Sequence, residues 1–504
     1  MEIFGKVVKI NEKDNVAVAL HDINTGEQID TGNGIITARE PVPSGHKIAW
    51  KDISSGENVI KYGYPIGHAT RTILQGEWIH THNVKTNLEG LEEYVYSPAD
   101  IPKPVVESSE SVTFQGYVHE NGQVGIRNEI WIIPTVGCIN KTAERLAQMA
   151  DKAFSDRNID GVYSFGHPYG CSELGDDLRY TQKILRGLIR HPNAGGVLVL
   201  GLGCENNNIP EMLKILGDDI QSSSFPNVEF LNMQSVQDEL DEGMAKLEEL
   251  VQKAEKAQRE PVPVSKLVIG LKCGGSDGFS GITANPLIGM ISDRLVAMGG
   301  TTILTEVPEM FGAETILMDR SINKEVFEKT VRLINDFKSY FIRYGQPVYE
   351  NPSPGNKEGG ITTLEDKSLG CTQKGGTSSV VDVLDYGEQV VKNGLNLLNG
   401  PGNDLVSSTV MAAAGAHMVL FSTGRGTPYG CAVPTVKIST NSTLAKKKTN
   451  WIDFNAGVLL EGQSAQKTAD ELFDLICQVA SGKKTRNEIN GFREIAIFKD
   501  GVTL

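Results

Sequence analysis

Along residues 1 to about 90, apolar and polar positions alternate in short segments broken by turns, the period of two expected of half-buried strands. Three of those turns echo one another: "DINTGE" (22–27), "DISSGE" (52–57) and "ILQGE" (73–77). The pattern predicts a small all-β module over 1–90. The next stretch, "LEEYVYSPADIPKPVVESSESV" (91–112), is rich in Pro, Ser and acid and has no apolar period, so it reads as an extended linker.

From about 113 the texture changes to continuous apolar runs, each followed by a helical pattern: "EIWIIPTVGC" then "KTAERLAQMADKAF", "DGVYSFGHPYGC" then "DDLRYTQKILRGLIR", "AGGVLVLGLGC" then "IPEMLKILGDD". Strand, turn and helix recur at the length of successive βαβ units, which implies a parallel sheet covered by helices. A polar tract, "LVQKAEKAQREPVPVSK" (250–266), closes this region, and a second α/β region opens at "KLVIGLKCGGSDGFSG" and runs to the end. The expected organisation is therefore a β module (1–90), a linker (91–112), an α/β domain (113–258) and a C-terminal α/β domain (259–504).

Charge narrows the partners. The 504 residues carry a formal charge of -15 and a pI near 5.2, which argues against nucleic acid, whose binding needs a basic face. No apolar stretch is long enough for a membrane span, and "MEIFGKVVKI" lacks the features of an export signal, so a cytoplasmic protein acting on a small molecule is expected. Seven cysteines in such a chain point to free thiols, metal ligands or nucleophiles rather than disulfides. Cys477, inside the helical "ELFDLICQVA", reads as a core residue.

Cys138, Cys171 and Cys204 are each preceded by glycine, each ends an apolar run, and they lie 33 residues apart, twice over. In a parallel sheet every strand that feeds a helix ends on the same edge, so three Gly-Cys ends set three thiols on one rim, the edge where ligands bind. Cys273 holds the same kind of position in the second α/β region, and Cys371 lies in the Gly-rich "LGCTQKGG". Converging thiolates select iron, iron–sulfur clusters or zinc, and no C-x₂-C pair of a structural zinc site occurs. The alternative is that these thiols fill tight strand–helix turns.

Other motifs carry less. In "EWIHTHNVKTN" an extended strand would set His80 and His82 on one face, able to meet a metal or a carboxylate. "GLGCEN" breaks the dinucleotide fingerprint at Asn206, and "GGSDG" fits the hydrolase elbow at Ser276 but is followed by "FSGITANP" rather than a long helix, so it reads as a binding loop. "NPSPGNKEGGITT" (351–363) and "STGRGTPYG" (422–430) read as loops around a polar ligand. Arg127, Asn128, Asn206, Asp277, Thr283, Asn285 and Arg425 are the polar loop residues suited to binding carboxylate or hydroxyl groups, with Glu306, Glu309 and Asp366 in the same set.

The strings "HTHNVKTNL", "GQVGIRNE", "YGCSELGDD", "HPNAGGVLVLGLGCENN", "CGGSDGFSGITANP", "TEVPEMFGAE", "YENPSPGNKEGGITTLEDKSLGCTQK", "FSTGRGTPYG" and "REIAIFKDGVTL" together resemble the altronate and galactarate dehydratase family from end to end. The resemblance implies a β-clip (SAF-like) N-terminal module, a Rossmann-like C-terminal sheet and a homodimer. It implies loss of water from D-altronate to give 2-keto-3-deoxy-D-gluconate, or from galactarate or another sugar acid, with Fe²⁺ under reducing conditions. The family motifs carry Cys138, Cys171, Cys204, Cys273 and Cys371 as metal ligands, either of one Fe²⁺ or of an iron–sulfur cluster. His167, Lys272 and Lys367 lie in motif loops as candidate bases; Arg127, Asn128, Asn206, Ser276, Asp277, Thr283, Asn285, Arg425, His80 and His82 are candidate substrate contacts. The competing classes are a sugar-acid sensor without turnover and a nicotinamide oxidoreductase, the latter disfavoured by the broken fingerprint.

Overall fold

The three echoing turns of the first 90 residues share one geometry. Gly26, Gly56 and Gly76 have φ of 78°, 83° and 85°, the left-handed region that costs a residue without Cβ nothing. The following Glu27, Glu57 and Glu77 each donate an N–H to the carbonyl three residues back, at 3.0–3.1 Å. These turns link a five-stranded antiparallel sheet, ordered Glu2–Phe4, Val7–Lys9, Val16–Ala19, Lys47–Ala49 and Trp78–Ile79, to smaller sheets of three and two strands. The computed structural model describes residues 2–32, 34–99, 112–217 and 227–502.

Residues 91–99 form no helix or strand, as a linker should, yet they lie along the C-terminal region, where the Tyr94 hydroxyl donates to Glu314 at 2.5 Å. The rest of the expected linker, 100–111, is outside the described residues. The polar tract at 250–266 does more than end a domain. Its Arg259–Pro263 strand pairs antiparallel with Thr113–Val118, so the two ends of the second region are tied together where the third begins.

The second region is a four-stranded parallel sheet in the order Val162–Ser164, Glu129–Pro134, Ala194–Gly201, Asn227–Asn232. Alternation along a strand sends successive side chains to opposite faces. Ile130 and Ile132 therefore join the core under helices Asn140–Ala153 and Glu239–Ala254, while Trp131 and Ile133 join a core under Asp176–Ile189. That second core continues into the C-terminal region through Val410, Met411, Val419 and Phe421. Helix Asp176–Ile189 packs on Asp404–Ala413, and a Cβ on Gly187 would stand 2.3 Å from the Ala413 carbonyl oxygen, so only glycine permits this approach.

The C-terminal region is an all-parallel, seven-stranded sheet ordered Val380–Leu384, Gly394–Leu398, Thr301–Leu304, Val268–Cys273, Met418–Thr423, Thr435–Ser439, Phe454–Asn455. Helix Ala284–Ala297 packs on it. The last segment is a strap: Arg493 is ion-paired to Glu129 (2.7 Å) and Glu488 (3.2 Å), and the Asp177 carboxylate accepts the N–H groups of Asp500 and Gly501, each at 2.8 Å. Among the described residues, no helix is long and apolar enough to cross a membrane.

Candidate active site

The chain leaves Val268–Cys273 for Thr301–Leu304 on one side of it and returns later to Met418–Thr423 on the other. That makes Val268–Cys273 the switch point of the sheet, the place where open parallel sheets bind ligands beyond their carboxyl ends. Cys273 is its last residue. Across the crevice, helix Leu364–Cys371 starts with a Thr363 side-chain cap on the Asp366 N–H and runs on into a 3-10 turn, Thr372–Gly375. Lys367, Cys371 and Lys374 thus recur at i, i+4 and i+7 on one face.

The Cys273 and Cys371 sulfurs stand 3.2 Å apart, and a Glu309 carboxylate oxygen lies 3.4 and 3.1 Å from them. All three residues are buried, and among the described residues their ligand atoms form a group of the size that holds a metal ion, all within 4.8 Å. Lys374 Nζ lies 2.8 Å from the Cys273 sulfur and 2.8 Å from Glu306. Lys272 is bonded to Glu306 and, at 2.8 Å, to Asp404, and Lys367 pairs with Glu309 at 2.9 Å. Glu306 reaches back into the nest from a left-handed backbone, φ 65°, unusual for any residue but glycine, ahead of the turn Val307–Met310.

Three ammonium groups here face three carboxylates, so the fixed charges cancel and the two thiols are the variable. A divalent cation held between two thiolates preserves that balance, and soft sulfur with one carboxylate suits iron or zinc better than magnesium. The residues present fit such an ion. The Cys371 thiol is pushed well above its ordinary value by the adjoining Cys273 sulfur, by burial and by Glu309. Burial would raise Glu309, but Lys367, Lys272 and Lys374 bring it down to about 2. Burial would lower Lys272 and Lys367, but Glu306 and Asp404 around the first and Glu309 beside the second hold both above the usual lysine value. Lys272, a candidate base in the sequence, is ion-paired to both Glu306 and Asp404.

The β module closes over this helix. Asp366, next to Lys367, is bonded at 2.9 Å to both Lys47 and Lys61, all three fully buried. Burial opposes the Asp366 charge, yet these two lysines hold its carboxyl well below the carboxylate range. Burial dominates at Lys47, which falls to about 8, whereas Asp366 and Tyr62 outweigh burial at Lys61 and raise it. His46 Nε2 meets the Glu358 carbonyl at 3.1 Å, and Thr363 donates to the Ile66 carbonyl at 2.5 Å.

The expected residues divide into three groups. Lys272, Lys367, Cys273 and Cys371 meet in the nest. Around it, Ser276, Asp277 and Arg425 lie in loops joined to one another: Asn356 donates to the Ser276 carbonyl (2.9 Å) and accepts from Lys367 (3.1 Å), and Arg425 pairs with Glu358 at 3.0 Å. Asp277 itself is half-buried, its carboxyl raised by desolvation, and accepts from Thr440 and Asn441; Thr283 and Asn285 are buried in backbone contacts with Thr440 and Gly370.

The remaining residues stand elsewhere. All five N–H groups of Arg127 are engaged, by Glu488 and by the carbonyls of Ile126, Val479 and Lys483, leaving none for a substrate. Asn128 is buried against the Asn158 and Ala254 carbonyls. His167 donates from Nε2 to the Pro134 carbonyl (2.8 Å) and accepts the Tyr169 N–H, and burial lowers it to about 4; it shapes a loop of the second sheet. His80 and His82 follow strand Trp78–Ile79 in a turn closed by Asn83, so they do not share a strand face: His80 is buried against Thr362, its pKa brought to about 3 by burial, and His82 is exposed. Cys138, Cys171, Cys204 and Asn206 lie at the edge of the second sheet.

Glu306 and Glu309, expected only among the polar loop residues suited to binding, belong to the centre, and Lys374 and Asp404 were not expected there. The i, i+4, i+7 spacing of Lys367, Cys371 and Lys374 was the available signal for one of them; the pairing of Asp404 with Lys272 is tertiary and has none.

A largely buried nest of opposed charges and thiols at the switch point of a parallel sheet is the site of an α/β enzyme. Models of three family domains match the chain: "Altronate/galactarate dehydratase SAF domain" over 5–87, "D-galactarate dehydratase/Altronate hydrolase, second domain" over 116–255 and "D-galactarate/Altronate dehydratase, C-terminal" over 264–503. The altronate dehydratases of Bacillus subtilis (strain 168) and Escherichia coli (strain K12) are 54% and 53% identical to it over 99% of both chains. The galactarate dehydratase (L-threo-forming) of Escherichia coli (strain K12) is 35% identical over 95% of this chain and 93% of its own. The chain belongs to the altronate/galactarate dehydratase family, and it is a carbon–oxygen hydro-lyase.

Proposed function

We propose that the protein removes water from D-altronate to give 2-keto-3-deoxy-D-gluconate, with Fe²⁺ held by Cys273, Glu309 and Cys371. What carries this reading is the convergence of two thiols and a carboxylate inside a charge-balanced nest at the switch point. The higher identity to altronate dehydratases, 53–54% against 35%, supports altronate over galactarate.

The C2 proton of a sugar acid is weakly acidic and the C3 hydroxyl leaves poorly, so the site must take up the C2 proton on a base, stabilise the negative charge that develops and protonate the departing oxygen to release water. A divalent ion bound here supplies Lewis acidity. Lys272 and Lys374, charged and desolvated, give a fixed positive field that needs no reorganisation during the reaction. Lys367 is the lysine on the loop side, bonded to Asn351 at 3.0 Å and Asn356 at 3.1 Å as well as to Glu309. Held protonated, its Nζ is the donor to the leaving hydroxyl. Arg425, half-exposed on the neighbouring loop and paired with Glu358, would clamp the substrate carboxylate in a bidentate pair.

The test is an anaerobic assay with reductant, with and without Fe²⁺, on D-altronate and galactarate in parallel. Iron-dependent 2-keto-3-deoxy acid from altronate is expected. No product from either acid in iron-loaded protein, or faster turnover of galactarate, contradicts the reading.

A further inference from the structure

Helix Leu364–Cys371 and its 3-10 turn have a second face that the nest does not use. Lys367, Cys371 and Lys374 point one way; Leu369, Thr372, Gln373 and Gly376, also spaced i, i+3, i+4 and i+7, line a cavity of about 190 Å³ on the other. The β module closes the opposite wall with Ile10 and with Tyr62, which the two-residue turn Tyr62–Gly63 (φ 60° and 82°) delivers between strands Asn58–Lys61 and Tyr64–Ala69. A Cβ on Gly281 would stand 2.3 Å from the Tyr62 hydroxyl oxygen, so glycine is needed there to admit the ring. Ile316, from helix Glu314–Met318, completes the apolar part of the wall.

Into this wall is set Arg320, 8% exposed, and among the described residues it is the one charged residue lining the cavity. Its Nη1 donates to the Gly376 carbonyl, but among the described residues Nε and Nη2 have no hydrogen-bond partner. Asp293 is the carboxylate that acts on it from a distance, and that group is taken up by the N–H groups and hydroxyls of Thr377 and Ser378, at 2.6–2.8 Å. Burial lowers Arg320 to about 10 against the pull of Asp293, so it is charged at neutral pH.

Nearly all buried donors in folded proteins are satisfied, so two left over on a cavity wall call for an acceptor. Nε and Nη2 are the nitrogens whose N–H bonds run parallel along one edge of the guanidinium, the fork that takes both oxygens of a carboxylate. One cation among apolar side chains balances a monoanion rather than a phosphate dianion or a diacid.

We propose that this cavity is a second ligand site, separate from the nest, which takes a small monocarboxylic acid, its carboxylate bidentate on Arg320 Nε and Nη2 and its apolar body against Ile10, Ile316 and Leu369. The bound acid joins the β module to the helix whose other face carries Lys367 and Cys371.

The experiment uses the full chain, purified without metal and titrated by calorimetry with acetate, butyrate, pyruvate and inorganic phosphate. Wild type, R320K, R320M and the nest variant C273S/C371S are compared. At least one of the three acids should bind wild type and C273S/C371S equally, at one site per chain, with phosphate weaker and D-altronate failing to compete. R320K keeps the charge but loses the fork, so affinity should fall about tenfold or more. R320M should abolish binding while keeping the wild-type circular dichroism, since it removes a buried charge that has no paired carboxylate; R320K carries the test where R320M does not fold. No binding of any of the acids to wild type, affinity unchanged in R320K and R320M, phosphate binding as tightly as the acids, or binding lost in C273S/C371S overturns the proposal.

Discussion

Cysteines lie at the carboxyl edge of both parallel sheets, yet the two sets of thiols sit in opposite surroundings. Cys273 and Cys371 are buried, 3.2 Å apart, among three lysines and three carboxylates. Cys138 and Cys204 face solvent on a rim of glycine-rich loops, with Cys171 half-covered. A place beside the carboxyl ends of parallel strands is common to both sets; what packs over the edge differs. The β module and the loops around Gly278 and Gly360 cover the switch point, where Gly278 N donates to the Gly359 carbonyl at 2.7 Å. A thiol in the first setting is tied to charge balance, and one in the second is free of it.

That contrast can be broken in several ways. Cys371→Ser keeps the shape of the nest but removes a soft ligand, and turnover should fall on the order of 10³-fold or more with circular dichroism unchanged; a loss below tenfold would dissolve the distinction. Asp366→Asn leaves Lys47 and Lys61 buried without their counter-charge, so the thermal unfolding free energy should drop by about 3–5 kcal/mol, with activity following because the same helix carries Lys367 and Cys371.

The junction between the two sheets gives a pH test. Burial would raise Glu488, but Arg127 and Arg493 bring it down to about 2 from an ordinary 4.5. A folded pKa below the unfolded one means the stabilisation is present above pH 4.5 and fades as pH falls toward 2. Glu488→Gln should therefore lose about 3 kcal/mol at neutral pH and show a flatter acid-unfolding curve across that window. At the small end, Cys204→Ser in metal-free protein should change stability by no more than about 0.5 kcal/mol, measured by denaturant titration, in contrast with the nest.

Much of this architecture is legible in the chain because it rests on local signals. Period-two alternation and the repeated Gly-Glu turns give the β module, and apolar runs followed by helical patterns give the parallel strands of the second sheet, with the Gly-Cys pairs in the loops just beyond them. The centre is less legible because its charges come from four separated segments. Lys272 and Cys273 sit together in sequence, but Glu306, Glu309, Lys374 and Asp404 join them only through tertiary packing. Arg127 teaches the converse. A polar residue in a family motif can be wholly absorbed in structure, and only counting its five engaged donors reveals this. His80 and His82 differ for a local reason: the Asn83 side chain closes a turn where alternation read a strand.

The most direct test of the central claim is X-ray absorption at the iron edge of anaerobic, Fe²⁺-loaded C138S/C171S/C204S, in which the rim thiols are absent. Two sulfur neighbours at about 2.3 Å, lost in the further variant C273S/C371S, are the predicted result. An iron surrounded only by oxygen and nitrogen, unchanged by that variant, would contradict the account.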